Sequence, residues 1–436
     1  MKKILVFIGL ISCFVSYAQQ PGSIKLSQAV CHQLALQNSE DIRKQGNALQ
    51  QAVLDQEIAK ASYMPDIDAS LMDVLMKDTK ISDAMTLQMK GTYMAGISLT
   101  LPVYTGGQLT TGNKLAQVGV EVQKIQQEKT RRDVIYDADK AYFSYLAVRS
   151  KVNMLEAYMM QMDSLASMIK LSVGVEMATN SDLLRIDAKR SQIEYNLKKA
   201  RNGVELCRMS LCASLGLDLK TQLDVDDKDL ASITSPSVDP SIVSANTSLT
   251  FRPEYQLLQQ GIKAKELEIR KARAGYLPTV ALVAQYSQYG WAYMKGQQEG
   301  YSYKSEISGG APMLMATVSV PLWHWGKEAK RIRKAKFDLQ NAQLDLQKNA
   351  RLLGIQNQQA LLNVQDSYRL IETAERGLTQ ATDNLKNLRL RFDNSMATLT
   401  DLLDAHSQWQ EASSNLIEAK TQYKIYESEY RKLMGE

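Results

Sequence analysis

Histidine is almost absent from this chain. Only His32, His324 and His406 occur in 436 residues, without ligand-like spacing and with no nucleophile motif beside them. Metal and base-assisted nucleophilic chemistry both need such groups converging, so the sequence offers no candidate catalytic or metal-ligating residue, implies no cofactor and argues against an enzyme. Cysteine is nearly as sparse, at four. Cys207 and Cys212 lie five apart on a helix-forming stretch and point to different sides, so with Cys31 they read as buried thiols. There are nine prolines, none between Pro102 and Pro236 and none after Pro321. Proline breaks a helix, so these two stretches alone permit long uninterrupted ones. Beyond residue 18 no apolar run approaches the ~20 residues of a spanning helix, which leaves membrane insertion to β-strands or a lipid anchor. Charge of one sign does not accumulate over the chain either: 52 Lys and Arg face 47 Asp and Glu, and no basic patch argues for nucleic acid.

The N-terminus carries Lys2 and Lys3, an apolar run from Ile4 to Ile11, and Ser16-Tyr17-Ala18 before Gln19. A charged start, apolar centre and small-residue site make residues 1–18 a secretory signal. A competing lipoprotein reading of Leu10-Ile11-Ser12-Cys13 is disfavoured, because the apolar segment continues through Phe14 and Val15.

The chain repeats itself. Met177-Ala178-Thr179 followed by Asp182-Leu183-Leu184 recurs 219 residues later as Met396-Ala397-Thr398 followed by Asp401-Leu402-Leu403. The same offset relates Pro102 to Pro321 and Gly107 to Gly326, while an offset of 213 aligns Tyr63-Met64-Pro65 with Tyr276-Leu277-Pro278. Similarity at this scale marks a duplicated unit rather than a solenoid of short repeats. The expected division is a first repeat over 19–235, a linker over 236–253 rich in Pro, Ser and Thr, and a second repeat over 254–436.

Within each repeat two textures alternate. Ala141, Tyr145, Val148, Val152, Leu155, Met159, Met162, Ala166 and Ile169 follow spacings of three and four, the seam of a coiled coil. Long helices are predicted over about 107–173 and 326–392, each near 100 Å at the α-helical rise. Second helices follow over about 181–215 and 400–433, with Asn180-Ser181 and Thr400 as their expected caps, so each MAT motif marks a hairpin tip. The clustered Met154, Met159, Met160, Met162 and Met168 read as adaptable packing rather than a metal path. Period-2 alternation predicts strands over about 66–74, 94–102, 279–287 and 313–321, with Ile97, Leu99 and Leu101 set against Gly96, Ser98 and Thr100 as the clearest case. Tyr63, Tyr93, Tyr104, Tyr276, Tyr289, Trp291, Trp323 and Trp325 collect at the strand ends. Short strands with one apolar face and aromatic flanks suit a transmembrane β-barrel. Four strands cannot close one, so the chain must oligomerise to span a membrane. Three copies would supply twelve strands and enclose a channel; periodicity alone leaves a dimer or tetramer open.

The order helix, Tyr-x-Pro, strand hairpin, Leu101-Pro102 or Val320-Pro321 with a following glycine, long helix and Thr-x-x-Asp-Leu-Leu tip, duplicated at matched spacing, resembles the TolC-like outer-membrane efflux protein family. Arg252-Pro253-Glu254-Tyr255 at the start of the second repeat is similar to that family as well. The resemblance implies a mainly α fold with a membrane β-barrel. The long coiled-coil helices would form an α-barrel in the periplasm, and four strands per chain would build a trimeric twelve-stranded barrel in outer-membrane lipid. It further implies a homotrimeric exit duct of a tripartite efflux pump or type I secretion system, docked on a periplasmic adaptor and an inner-membrane transporter. The alternative is a secreted periplasmic coiled-coil scaffold with a soluble sheet as cap.

On that resemblance the pore and gate candidates are Asp182, Asp401 and Asp404. Asp401 and Asp404 are three apart on one helix face, so threefold symmetry would stack them as carboxylate rings. Asp182 and Asp401 also sit in a helical first turn, where acidic charge is locally favourable. The adaptor-docking candidates are the tips: Val175, Glu176, Met177, Ala178 and Thr179, then Ser395, Met396, Ala397 and Thr398. This chain departs from the family at Glu176 and Ser395, where glycine is usual, and at Ala397 and Phe392, which puts an Arg and Tyr tip lock in doubt. After the shared Asp-Leu-Leu the first copy continues with Arg185 where the second has Asp404, so any gate is expected to be lopsided.

Overall fold

The structure, a computed structural model, describes residues 24–75, 79–82, 85–89, 92–225, 247–291, 294–298, 301–305 and 308–435. The signal segment 1–18 with Cys13, and residues 236–246 of the expected linker, lie outside the described residues. In chain order the elements are β1 (Ile24–Leu26), α1 (Gln28–Asn38), α2 (Glu40–Ala61), β2 (Asp66–Val74), β3 (Thr79–Ser82), β4 (Met85–Met89), β5 (Thr92–Tyr104), α3 (Gln108–Gly174), α4 (Asn180–Ser214) and β6 (Leu223–Val225). The second run follows as α5 (Thr247–Thr250), α6 (Pro253–Ala274), β7 (Thr279–Trp291), β8 (Met294–Gln298), β9 (Tyr301–Ser305), β10 (Ser308–Ser319), α7 (Lys327–Asp393) and α8 (Leu399–Met434).

Helix lengths repeat with the sequence. α2 and α6 have 22 residues each, α3 and α7 have 67, and α4 and α8 have 35 and 36. The two 67-residue helices fill the proline-free stretches and reach about 100 Å. Both start from a left-handed glycine, Gly107 at φ +84° and Gly326 at φ +71°, which turns the chain from sheet to shaft without a Cβ clash.

The coiled-coil seam on α3 is wider than heptad spacing predicts. Of the predicted seam, Tyr145, Val152, Leu155, Met162, Ala166 and Ile169 are buried and Ala141, Val148 and Met159 half-buried, while Ala138, Tyr142, Phe143, Leu146, Tyr158 and Leu165 are buried beside them. α3 contacts α1, α2, α4, α6 and α8 along its length, so several faces are covered in turn. Of the methionine cluster, Met162 is fully buried and Met159 packs beside it, whereas Met160 and Met168 face outward. Midway along the shaft, Leu146, Leu211 and Leu215 pack against Cys31 and Cys212 beneath a short parallel pairing of β1 with β6. None of the three described cysteines forms a disulfide.

Two buried charges fasten this waist. Asp139 of α3 accepts hydrogen bonds from Gln28 (3.0 Å) and His32 (2.6 Å) of α1 and from Ser428 of α8 (2.5 Å). Arg252, at the N-cap of α6, donates to Asn357 Oδ1 at 2.9 Å and to the Leu353 carbonyl at 3.4 Å on α7. A buried charge survives only when so satisfied.

Four strands form one antiparallel sheet in the order β10-β7-β5-β2. Its register aligns Leu314 with Ala284, Ala284 with Leu99, and Leu99 with Ile67. The next row aligns Pro312, Tyr286, Ile97 and Ala69. Registered partners share a face, so the separate alternations of all four strands merge into one apolar face with Ser, Thr, Gln and Asp gathered behind it.

The strands differ from expectation in length. β5 and β7 run 13 residues, β10 begins at Ser308 rather than near 313, and the hairpins continue into a second sheet ordered β3-β4-β8-β9. In that outer sheet β8 carries the polar run Lys295-Gly296-Gln297-Gln298, whereas β4 alternates Met85, Leu87 and Met89 with Thr86 and Gln88 over only five residues. At the start of β10 a Cβ on Gly310 would meet the ends of the Gln288 and Tyr286 side chains, the latter at 2.6 Å, so these would have to turn aside.

Candidate functional site

The two helical hairpin tips share one construction. At the end of α3, Met177 N–H donates to the Ser172 carbonyl (2.8 Å) and Glu176 N–H to the Val173 carbonyl (3.1 Å). At the end of α7, Met396 N–H donates to Arg391 (2.7 Å) and Ser395 N–H to Phe392 (2.9 Å). These are Schellman closures, which need a left-handed residue just past the helix. Glu176 at φ +62° and Ser395 at φ +58° take that conformation, and Gly174 does not. A side chain there costs roughly 1–2 kcal/mol. Allowing for the greater freedom of glycine in the unfolded chain, Glu176→Gly and Ser395→Gly are each expected to stabilise their tip by about 0.5–1 kcal/mol. Thermal denaturation of the two variants reads this directly, and a lowered melting point in both would refute it.

The next helix at each tip opens with a reciprocal capping box. Asp182 N–H donates to Thr179 Oγ1 at 3.2 Å, while Asp182 Oδ2 accepts from Thr179 N–H (3.1 Å) and Oγ1–H (2.7 Å). Thr398 and Asp401 repeat this with distances of 3.2, 3.0 and 2.7 Å. The threonine hydroxyl, followed by its backbone N–H, holds both carboxyls below the ordinary aspartate range. Asp182 and Asp401 therefore have a full local role as caps. Asp404 does not: it is exposed, and among the described residues no side-chain hydrogen bond or ion pair holds it.

The structure brings the two tips together. Ile169, Ile186, Leu399 and Leu402 form one buried cluster with Tyr158, Met162 and Ile193, against which Val173, Ala178 and Phe392 pack. Val175, Met177 and Met396 point outward, at 66%, 80% and 74% exposure, so each tip presents an uncovered apolar residue. Ala178 and Ala397 are half-buried beneath them.

Sequence reasoning did not find the polar links between the copies. Arg185 Nη1 donates to Thr400 Oγ1 at 2.6 Å, and Lys189 Nζ to Ser407 Oγ at 2.9 Å, tying α4 to α8. Arg190 pairs with Asp163 of α3 at 2.6 Å. The available signal was the contrast at one repeat position, Arg185 against Asp404. Also missed was His406, buried in the tip cluster and stacked on Tyr158 at 5.7 Å.

Away from the tips, the apolar sheet face is uncovered in the single chain. Ile67, Leu71, Ile97, Leu314 and Val318 are 57–79% exposed. Among the described residues no helix is long and apolar enough to cross a membrane.

The profile of the outer membrane efflux protein family matches residues 31–217 and 245–436. The chain belongs to that family. Its fold is similar to solved structures of this kind. The Campylobacter jejuni CmeC outer membrane channel matches with a TM-score of 0.75 at 17% identity, covering 94% of this chain and 85% of that one. The outer membrane protein VceC from Vibrio cholerae matches at 0.73 and 15% identity, over 94% and 96%. The Neisseria gonorrhoeae MtrE outer membrane channel, solved in its open state, matches at 0.72 and 15% identity, over 94% and 88%. No curated protein matches significantly by sequence alone. As an outer membrane efflux protein the chain is a channel subunit rather than an enzyme. It is an outer-membrane protein whose helical shaft extends into the periplasm.

Proposed function

We propose that three copies join β10 of one to β2 of the next, closing a twelve-stranded barrel over a helical tunnel. The tunnel would be the exit duct of a tripartite efflux pump or type I secretion system, passive in itself and fed by an inner-membrane transporter through a periplasmic adaptor. The observation that carries this reading is the single apolar sheet face with its two unpaired edges, continuous with a shaft of about 100 Å. An open edge in lipid leaves backbone groups unsatisfied at several kcal/mol each, and joining the edges of further copies removes that cost. Outer-membrane fractionation followed by detergent extraction and native sizing is expected to yield a trimer. A soluble periplasmic monomer would instead support the scaffold reading.

Docking of the adaptor is assigned to the tips, Val175 to Thr179 and Ser395 to Thr398. The support is their exposed Val175, Met177 and Met396 on rigid, doubly capped turns. Site-specific cross-linking to the adaptor from Met177 and Met396 is the test, and full pump assembly after both become Asp would count against it.

The gate reading narrows to Asp404. Asp182 and Asp401 are engaged as caps, whereas Asp404 is free to present three carboxylates to a pore. Asp404→Asn in planar bilayers is expected to lower cation selectivity several-fold without loss of stability. Asp401→Asn is expected to lower the melting point of the tip as well, because it weakens the reciprocal cap with Thr398. Unchanged selectivity in the Asp404 variant would end its assignment to the pore.

A further inference from the structure

The near balance of charge over the whole chain hides one local excess. Residues 327–336, the first turns of α7, contain six cations, Lys327, Lys330, Arg331, Arg333, Lys334 and Lys336, and the single acid Glu328. The matching stretch of the first repeat, 108–117, contains only Lys114. Duplication therefore does not explain the cluster, and neither does helix stability, since cations at a helix N-terminus oppose its dipole. Glu328 is buried against α6 and pairs with Arg331 at 2.7 Å. Ile332 and Ala335 share that inward face, which leaves Lys327, Lys330 and Lys334 as an exposed stripe on the adjoining one.

Directly before this helix stands a second oddity. Trp323 and Trp325 are 72% and 84% exposed, with rings 6.1 Å apart in an edge contact. Trp325 sits at φ +52°, where the first repeat has Gly106 at φ +62°. A bulky aromatic in the left-handed region is an outlier. An exposed indole pair, a strained backbone and cations at the wrong helix end thus meet in a dozen residues. All lie where the sheet ends and the shaft begins, at the periplasmic boundary of the membrane.

We infer that Trp323, Trp325 and the Lys327/Lys330/Lys334 stripe form a binding site for anionic phospholipid of the inner leaflet. The indoles lie at headgroup depth, where an amphipathic ring is favoured, and the lysines meet the phosphate and glycerol charge beside them. The first repeat, with Tyr104 and a neutral helix start, lacks the charge half of this site. Each chain would therefore hold anionic lipid on one side of its barrel base only. The inference rests on the outer-membrane placement of the sheet and is independent of which pump the channel serves.

The test uses the full-length oligomer reconstituted in phosphatidylethanolamine vesicles containing either brominated phosphatidylglycerol or brominated phosphatidylethanolamine at equal fraction, with quenching of tryptophan fluorescence as readout. Phosphatidylglycerol is expected to quench with about five-fold or greater preference, the scale of one lysine near an anionic surface, and added salt is expected to erase it. Trp323→Phe with Trp325→Phe is expected to remove the preferential signal, which identifies the reporters. Lys327→Gln, Lys330→Gln and Lys334→Gln together are expected to equalise the two lipids while the heat-stable oligomer persists. Equal quenching of the unaltered protein by both lipids would overturn the site, and its salt dependence decides the matter even if the triple variant fails to assemble. A preference that survives the lysine changes would overturn it too. So would altered pore conductance with unchanged lipid preference, which would place the lysines in the tunnel.

Discussion

Replacing His406 with phenylalanine is expected to reduce the acid sensitivity of the periplasmic end of the shaft. His406 is 3% exposed, and its Nδ1 has no hydrogen-bond partner among the described residues. It stacks on Tyr158, whose other edge meets Trp409 at 6.3 Å. Burial, and after it the positive charges of Arg389 and Lys189, lower its pKa from 6.5 to about 4. The folded protein thus holds a neutral imidazole that the unfolded chain would protonate. Between pH 6.5 and 4 the unfolded state binds the extra proton, so stability is full above that window and falls as pH drops through it. A depression of this size corresponds to about 3 kcal/mol when the window has been crossed. Phenylalanine keeps the ring, removes the proton site and leaves no buried nitrogen unpaired. Helical melting followed from pH 7 to pH 4 is therefore expected to decline more steeply for the native protein than for His406→Phe. Because the two proteins differ only here, other titrating groups cancel in the comparison. Asp182 and Asp401 in any case release their cap stabilisation only below the ordinary aspartate range. Parallel pH profiles would show that His406 does not couple to the fold.

The second large effect is expected at the waist. Asp139→Ala deletes the acceptor for Gln28, His32 and Ser428 at once, in a site where the carboxylate is 3% exposed. Removing a buried acceptor costs about 1–3 kcal/mol, chiefly because Ser428, itself buried, is left without its partner, while Gln28 and His32 are half-buried and can turn to water. The loss falls on the join between α1, α3 and α8, so the N-terminal segment is the part expected to loosen. Limited proteolysis should then cut within residues 24–38 before the shaft is touched. Asp139→Asn retains one acceptor oxygen and is expected to fall between the two. Native resistance in Asp139→Ala would mean that apolar packing by Leu146, Leu211 and Cys212 carries the join alone.

Much of this architecture was legible because its signals are local. Pro102, Pro236 and Pro321 bound the regions where a 67-residue helix is possible, and the MAT motif places both tips. The caps lie one or two residues before the expected Asn180-Ser181 and Thr400, at Thr179 and Thr398, because the threonine three residues before each aspartate closes a reciprocal box. Period-2 alternation marked the longer strands, whereas β3, β4, β8 and β9, of four or five residues each, are too short for it to stand out, even though Met85, Leu87 and Met89 alternate with Thr86 and Gln88. The left-handed Glu176 and Ser395 were visible only as departures from a glycine.

What the sequence alone determined is periodic or adjacent: the duplication, the long helices, the strand faces and the kinship they imply. Tertiary structure was needed for everything that joins residues distant along the chain. Asp139 lies 111 residues from Gln28 and 289 from Ser428, and Arg185 lies 215 from Thr400. No spacing rule predicts such partners, because they depend on where two shafts about 100 Å long come to lie against each other. The burial that lowers the pKa of His406 has the same origin, since α3 and α8 must pack before its ring leaves water.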